Sequence, residues 1–295
     1  MSPSRILIVL NPAAGRARRH VIDNVASLLR EQGRQVDIHE TRGPGDASTV
    51  LPAMAAAYDV IVAAGGDGTV NEVLNGLRDH PDISLGIIPC GTTNVLATEL
   101  GLPNSPARIA AMLMHGKTRT IYPGSVNGHR FGMMVGVGYD AWVVQGVDAA
   151  LKKKIGKLAY VLSMLRELRH FGQQRYRLEL DGQVHEAGSA VLTLGRHYAG
   201  SYILARDACI DVAEMDVVLV QTRSAAAFLL MLFALPLGLA SRLPFMKTVK
   251  AKSARITLMN GQGSEGLQAD GDMAGSLPAS VTVSEQPLRV LVPAR

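Results

Sequence analysis

Cysteine, aromatic residues and long apolar runs are all scarce in this chain, and each scarcity removes a class of protein. Two cysteines among 295 residues, Cys90 and Cys209, exclude a disulfide-stapled scaffold. Both stand among apolar or small neighbours, so buried thiols in a reducing cytosol are expected. Aromatic residues make up 4% of the chain, with Trp142 the single tryptophan, which argues for core roles rather than base-stacking platforms. His129, His170, His185 and His197 do not follow metal-ligand spacing. Gly-x-Ser-x-Gly is missing, so Ser125, Ser189 and Ser201 sit in no nucleophile elbow. The longest apolar block, Phe228 to Ala240, is interrupted by Pro236 and Gly238 and is shorter than the roughly 20 residues of a spanning helix. It reads as a core helix or as a surface touching lipid. Near the start, the apolar run Ile6 to Leu10 meets a turn at Asn11-Pro12 and is expected to be a first strand rather than a signal segment.

Charge is moderate. Thirty Lys and Arg against 25 Asp and Glu give a net charge of +5 and a pI of 9.3. That balance permits anionic partners but does not by itself point to nucleic acid. The cluster Lys152-Lys153-Lys154 with Lys157 contributes about 1 kcal/mol per cation beside an anionic leaflet, at most about 4 kcal/mol. This corresponds to roughly millimolar attraction, enough for transient docking.

The most informative stretch runs from Val60 to Gly76. A buried-strand pattern, Val60 to Ala64, breaks into Gly65-Gly66-Asp67-Gly68, and a helical pattern follows from Thr69 with Val70, Asn71 and Glu72 in its first turns. Glycines permit close backbone approach, and a helix N-terminus aims unpaired N–H groups at an anion. A carboxylate beside phosphates calls for a cation between them, so Asp67, with Glu72, is a candidate Mg2+ ligand, directly or through water. Read alone, the glycines also suit a tight strand-to-helix turn, and Glu72 also suits the positive end of a helix dipole. Two further strands end in small polar loops: Ile6 to Leu10 in Asn11-Pro12-Ala13-Ala14-Gly15, and Leu85 to Ile88 in Pro89-Cys-Gly-Thr-Thr-Asn94. In a parallel sheet these loops converge beyond the carboxyl ends of the strands, where ligands bind.

From residue 5 to about 121 strands alternate with helices: strand 5–10, helix 17–32 closed by Gly33, strand 36–40, helix 46–57. Such alternation predicts an α/β domain with a parallel sheet. Beyond Pro123 the punctuation changes to short strands. Tyr176 to Leu180 and Gln183 to Glu186 meet at Asp181-Gly182, a hairpin signature. Further strands are expected at 189–195, 216–221, 248–258 and 280–284, with helices near 154–171 and 224–239. The expected boundaries are 1–121 for the α/β domain and 122–286 for a mainly-β domain, with a cleft between them as the default place for chemistry.

In order, these segments resemble the diacylglycerol kinase catalytic-domain family, in particular small bacterial lipid kinases related to sphingosine and ceramide kinases. Asn11 to Gly15 is similar to the family's Asn-Pro-x-x-Gly segment, Thr41 with Gly45-Asp46-Ala47 to its second nucleotide contact, Gly66 to Glu72 to its central loop, and Gly91-Thr92-x-Asn94 to its fourth. Gly138-Tyr-Asp-Ala, Gly156-Lys-Leu-Ala-Tyr160 and Asp270-Gly271-Asp272 complete the set. The resemblance implies that a β-sandwich follows the α/β domain and that a terminal strand within 287–295 returns to the first domain. It also implies that Asn11, Gly15, Thr41, Gly66, Gly68, Thr69 and Thr92 hold ATP, with Asn94 either a nucleotide contact or a helix cap. In the family's Asp-Gly-Glu an acid takes the proton of the lipid hydroxyl; here Asp270 or Asp272 would serve, although Asp-Gly is also a common hairpin turn.

The departures are specific. Asp272 is one methylene shorter than Glu, Thr98 stands where many relatives have Arg, and Val212-Ala213 replaces the Asp-Gly of an auxiliary Mg2+ site, which is then expected to be absent unless Asp211 or Glu214 substitutes with a shifted backbone. The reading is therefore an ATP- and Mg2+-dependent lipid kinase acting on a lipid alcohol, cytoplasmic and peripheral at the inner membrane face, with a homodimer left open. A soluble-substrate kinase like NAD kinase and a catalytically silent nucleotide- or lipid-binding relative remain its alternatives.

Overall fold

The computed structural model describes residues 5–12, 19–147, 157–259 and 265–294. The chain divides into two compact units, Met1–Tyr122 with Glu285–Arg295, and Pro123–Ser284.

The first unit is built on a six-stranded sheet of order β2-β1-β3-β4-β20-β5. Its strands are β1 (Arg5–Leu10), β2 (Gln35–Glu40), β3 (Val60–Gly65), β4 (Ser84–Pro89), β5 (Lys117–Ile121) and β20 (Leu288–Val292). All neighbours run parallel except β5, which is antiparallel to β20. Every residue of β3 is buried, as a central strand covered on both faces requires. Helices α1 (Arg19–Glu31), α2 (Asp46–Met54), α3 (Asp67–Gly76), α4 (Val95–Glu99) and α5 (Pro106–His115) connect the strands. Helix α1 turns Val21, Ile22, Val25, Ala26 and Leu29 inward, the spacing of a single helical face. It ends at Gly33, whose φ of +78° supplies the left-handed stop.

The second unit is an antiparallel β-sandwich. One sheet has the order β10-β9-β16-β19-β6-β7 and the other β15-β14-β11-β8-β17-β18. The first comprises β6 (Gly124–Val126), β7 (His129–Phe131), β9 (Tyr176–Leu180), β10 (Gln183–Ala187), β16 (Ser253–Leu258) and β19 (Ala279–Val283). The second comprises β8 (Met134–Val137), β11 (Ser189–Thr193), β14 (Met215–Val220), β15 (Met246–Ala251), β17 (Gly266–Ala269) and β18 (Asp272–Ser276). A small pair, β12 (His197–Tyr198) and β13 (Tyr202–Ile203), stands apart. Helices α6 (Tyr139–Gln145), α7 (Lys157–Glu167) and α8 (Ala225–Ala234) complete the unit. Phe228 of α8 stacks on Phe171 at a centroid distance of 4.1 Å and meets the Tyr139 ring edge-on at 4.4 Å, which fixes α8 to the unit.

The β9–β10 turn places Asp181 and Gly182 at φ +44° and +84°, the paired left-handed angles of a type I′ hairpin. Two sequence expectations are corrected. The run from Thr248 to Leu258, expected as one strand, is two strands in different sheets. The chain breaks at Lys252, where the N–H groups of Lys252 and Ser253 donate to the Asp181 carboxylate at 2.9 Å each. Cys209, expected to be buried, is exposed in the turn-rich segment before β14, whereas Cys90 is buried; neither forms a disulfide. The cluster Lys152 to Lys154 and residues Ala13, Ala14 and Gly15 lie outside the described residues, as does Gly156.

Candidate active site

Strands β3 and β4 are parallel neighbours, with Gly65 in register with Pro89, so the loops that follow them emerge side by side. They are joined backbone to backbone. The Cys90 N–H donates to the Gly65 carbonyl at 2.8 Å, and a Cβ on Gly91 would lie 2.5 Å from the Gly66 Cα. No side chain fits at Gly91, so that glycine is a packing requirement, while a Cβ on Gly66 would lie 3.2 Å from the Gly91 Cα, a tight contact. On Gly65 a Cβ would meet the Thr69 Oγ1 at 2.2 Å.

Asp67 binds the two loops further. Its carboxylate accepts the Thr93 hydroxyl and the Val95 N–H, both at 2.7 Å. It thus meets an otherwise unpaired N–H at the start of α4. Asn94 occupies the N-cap position of α4 with φ +47°, which asparagine tolerates. Its side chain turns back rather than capping: Oδ1 accepts the Gly91 N–H and Nδ2 donates to the Gly91 carbonyl, both at 2.8 Å. Gly66 is the N-cap of α3, and Val70 N–H closes the first turn on the Gly66 carbonyl at 3.1 Å.

Other motif residues surround this pair of loops. Asn11 N–H donates to the Ala64 carbonyl at the end of β3, and Thr41 N–H to the Leu10 carbonyl at 2.9 Å. Thr41 and Thr69 are buried, whereas Thr92 is exposed. Glu72 Oε2 accepts the Ala47 N–H at 3.2 Å in the first turn of α2, so it ties α3 to α2. At the same turn Asp46 is bonded to His39 Nε2 at 2.9 Å, and that bond holds its carboxyl below the usual range. Asn71 takes a bond from Asn75 Nδ2. Among the described residues no group of three or more His, Cys, Asp or Glu forms a metal cage. One or two carboxylates with waters and ligand phosphates is the ordinary way Mg2+ is held, and the spare lone pairs of Asp67 suit that role.

The second unit contains its own acidic assembly. Asp270 and Gly271, at φ +50° and +91°, form the two-residue turn between β17 and β18. The Asp270 carboxylate accepts the N–H groups of Gly132, Met133 and Met134 at 2.6, 2.9 and 3.0 Å. Asp272, at the start of β18, is exposed. Beneath the turn lies a buried network. Gln268 Oε1 accepts the Gly271 N–H at 2.8 Å, and its Nε2 donates to Asp140 Oδ2. Asp140 Oδ1 accepts the Tyr198 hydroxyl. Burial pushes the Asp140 carboxyl up, opposed by the bonds from Tyr198 and Gln268. Gly136 is needed beside it, since a Cβ there would lie 1.7 Å from Asp140 Oδ2.

Tyr198, Gln268 and the N–H groups of residues 132–134 were not foreseen from sequence, and neither was Thr93. Only Thr93 left a signal, being a hydroxyl inside the Gly91 to Asn94 motif.

Val212 and Glu214 do not fit an auxiliary metal. Val212 is half-exposed and offers no ligand, and the Lys250 ammonium lies 3.2 Å from both Glu214 Oε2 and Asp216 Oδ1. Asp216 is 2% exposed, so this lysine supplies the positive charge there.

The description "Diacylglycerol kinase catalytic domain" matches residues 5–126, and "YegS C-terminal NAD kinase beta sandwich-like domain" matches residues 133–292. The chain is 30% identical to a diacylglycerol kinase of Bacillus subtilis (strain 168), the comparison covering 98% of this chain and 96% of that one. It is 28% identical to a diacylglycerol kinase of Staphylococcus carnosus (strain TM300), covering 98% and 95%. A crystal structure of a diacylglycerol kinase from Bacillus anthracis str. Sterne superposes with a TM-score of 0.81 at 25% identity, covering 99% of this chain and 98% of that one.

Proposed function

Because the chain belongs to the diacylglycerol kinase catalytic-domain family and is a lipid kinase, we propose that it transfers the γ-phosphate of Mg-ATP to the hydroxyl of a lipid alcohol such as diacylglycerol. The observation that carries this reading is the joined pair of glycine loops after β3 and β4, with Asp67 bonded across them. Phosphoryl transfer asks a protein chiefly for positioning and for cancellation of negative charge. The N-terminus of α3 and the close-packed backbone at Gly65, Gly66 and Gly91 suit polyphosphate oxygens, while Thr41, Thr69, Thr92, Asn11 and Asn94 add donors nearby. Mg2+, held by Asp67 with waters and assisted by Glu72, would neutralise charge on the phosphates.

The acidic turn Asp270-Gly271-Asp272 supplies the carboxylate that takes the hydroxyl proton. Asp270 is fixed by three N–H bonds and Asp272 faces solvent, so the two are separable by experiment. Asp270→Asn is expected to lower the melting temperature and Asp272→Asn to leave it unchanged, and the base is the residue whose folded Asn variant loses kcat. No helix among the described residues is long and apolar enough to cross a membrane, in keeping with peripheral action at a membrane face.

The β-sandwich likeness to NAD kinase motivates the second reading, a soluble acceptor. Side-by-side ADP release with diacylglycerol micelles, NAD and sugar phosphates tests the two. Turnover confined to the lipid supports the proposal, and turnover confined to NAD or a sugar phosphate overturns it.

A further inference from the structure

Helix α8 is apolar on two opposite faces, and among the described residues only one of them is buried. Phe228, Met231, Ala234 and Leu235 are buried, the stripe that packs on the sandwich. Leu230 and Phe233 lie at i and i+3 on the other side, Leu237 follows in the turn just beyond the helix, and the three are 53%, 69% and 72% exposed. Three large apolar side chains exposed within eight residues are more than the single exposed apolar residues usual on a surface.

The sequence that carries these side chains is basic. From Val217 to Ser264 the sequence holds no Asp or Glu, while Arg223, Arg242, Lys247, Lys250, Lys252 and Arg255 fall within it. Arg223 precedes the Ser224 cap of α8, Arg242 closes the 3-10 turn Ala240–Arg242 beyond it, and both are exposed. Arg206 donates to the Gly238 carbonyl, placing a third cation beside the same loop. Asp207 adjoins Arg206 and is exposed, and Glu214 and Asp216 are paired with Lys250.

Resting on the lipid-kinase reading, we propose that the Leu230–Phe233–Leu237 stripe docks on an anionic bilayer, with Arg223 and Arg242 at its ends meeting headgroup phosphates. An apolar stripe rimmed by cations is the composition of an interfacial helix, which buries its apolar side shallowly and needs no shape-matched partner. The acid-free segment selects an anionic surface over a neutral one. Docking brings the enzyme to a substrate that does not leave the membrane.

The test uses the full chain in sedimentation with vesicles of phosphatidylethanolamine and phosphatidylglycerol, and with vesicles of phosphatidylcholine alone. The variants are a triple Leu230→Ser, Phe233→Ser, Leu237→Ser and a double Arg223→Gln, Arg242→Gln, both confined to exposed positions. The triple variant is expected to lose about tenfold or more of its partition into anionic vesicles, and the double variant a smaller part. Activity on long-chain diacylglycerol in vesicles falls in parallel, while activity on a monomeric short-chain diacylglycerol is retained. Wild-type partition by a folded triple variant overturns the proposal. So does a dimer, seen by analytical ultracentrifugation, that the triple variant abolishes while wild-type protein ignores vesicles. Vesicle binding that depends on the stripe, without phosphate transfer to any lipid, upholds the docking surface and refutes the kinase reading instead.

Discussion

The two chemical assemblies are built in opposite ways. In the first unit the site follows two adjacent parallel strands, so its residues fall in short contiguous motifs: Gly65 to Glu72 and Gly91 to Val95. In the second unit the Asp270 turn is anchored by residues 132–134, more than 130 positions away in sequence, and supported by Gln268, Asp140 and Tyr198 from three further elements. A parallel sheet concentrates function at strand ends. An antiparallel sandwich assembles it from strands that are distant in the chain. Both sites use side-chain acceptors for backbone N–H groups, but in the first close-packed glycines join the two loops, whereas in the second the Asp270 carboxylate holds a segment distant in the chain.

Breaking the first assembly has the largest expected effect. Asp67→Ala removes the candidate metal carboxylate together with the bonds to Thr93 and Val95, and ADP production with lipid is expected to fall by about a thousandfold. Steady-state kinetics checks this, with circular dichroism confirming a folded chain. Undiminished turnover would separate Asp67 from the chemistry and leave it a loop fastener.

Breaking the second assembly from below is expected to cost stability and turnover together. Asp140→Asn replaces an acceptor of two bonds with an amide inside a buried site, which costs about 1–3 kcal/mol in denaturant unfolding. Because Gln268 then loses the partner that orients it toward the Gly271 N–H, kcat falls while KM for ATP stays near wild type. An unchanged kcat would show that the turn does not depend on the network under it.

Smaller effects sharpen the comparison away from the sites. Lys250→Met leaves Glu214 and the buried Asp216 without their cation and is expected to cost about 1–2 kcal/mol, reduced by the partial exposure of the lysine. At Asp181 burial pushes the carboxyl up, but the Lys252 N–H and the Ser253 hydroxyl and N–H outweigh it and set it below the usual 3.8. A depressed carboxyl contributes stability that is present above 3.8 and lost as pH falls through the lower folded value. Asp181→Asn, which keeps a residue tolerant of the turn angles, therefore flattens the acid limb of a melting temperature–pH curve. An acid limb identical to wild type would contradict the assignment.

How much of this was legible follows the same division. The α/β unit was readable because strand alternation, Gly33 as a helix stop and the Gly-Gly-Asp-Gly turn are local signals. In the sandwich the Asp181-Gly182 turn was equally local. The break at Lys252 was not, because it depends on a carboxylate about 70 residues earlier in the chain accepting two N–H groups. Cys209 illustrates the same limit: its neighbours Ala208 and Ile210 are buried, but the turn sends the cysteine itself outward. Asp67 was legible as chemically unusual; that its first partners are Thr93 and Val95 emerges only when β3 and β4 lie side by side.

The central claim is that the loops after β3 and β4 jointly hold a metal-bound triphosphate. The most direct measurement is a crystal structure with a non-hydrolysable ATP analogue and Mg2+. Phosphate density is expected against Gly65 to Gly68 and Gly91 to Asn94, with the metal beside Asp67. Nucleotide bound elsewhere, with this sheet edge empty at saturating analogue, would contradict it.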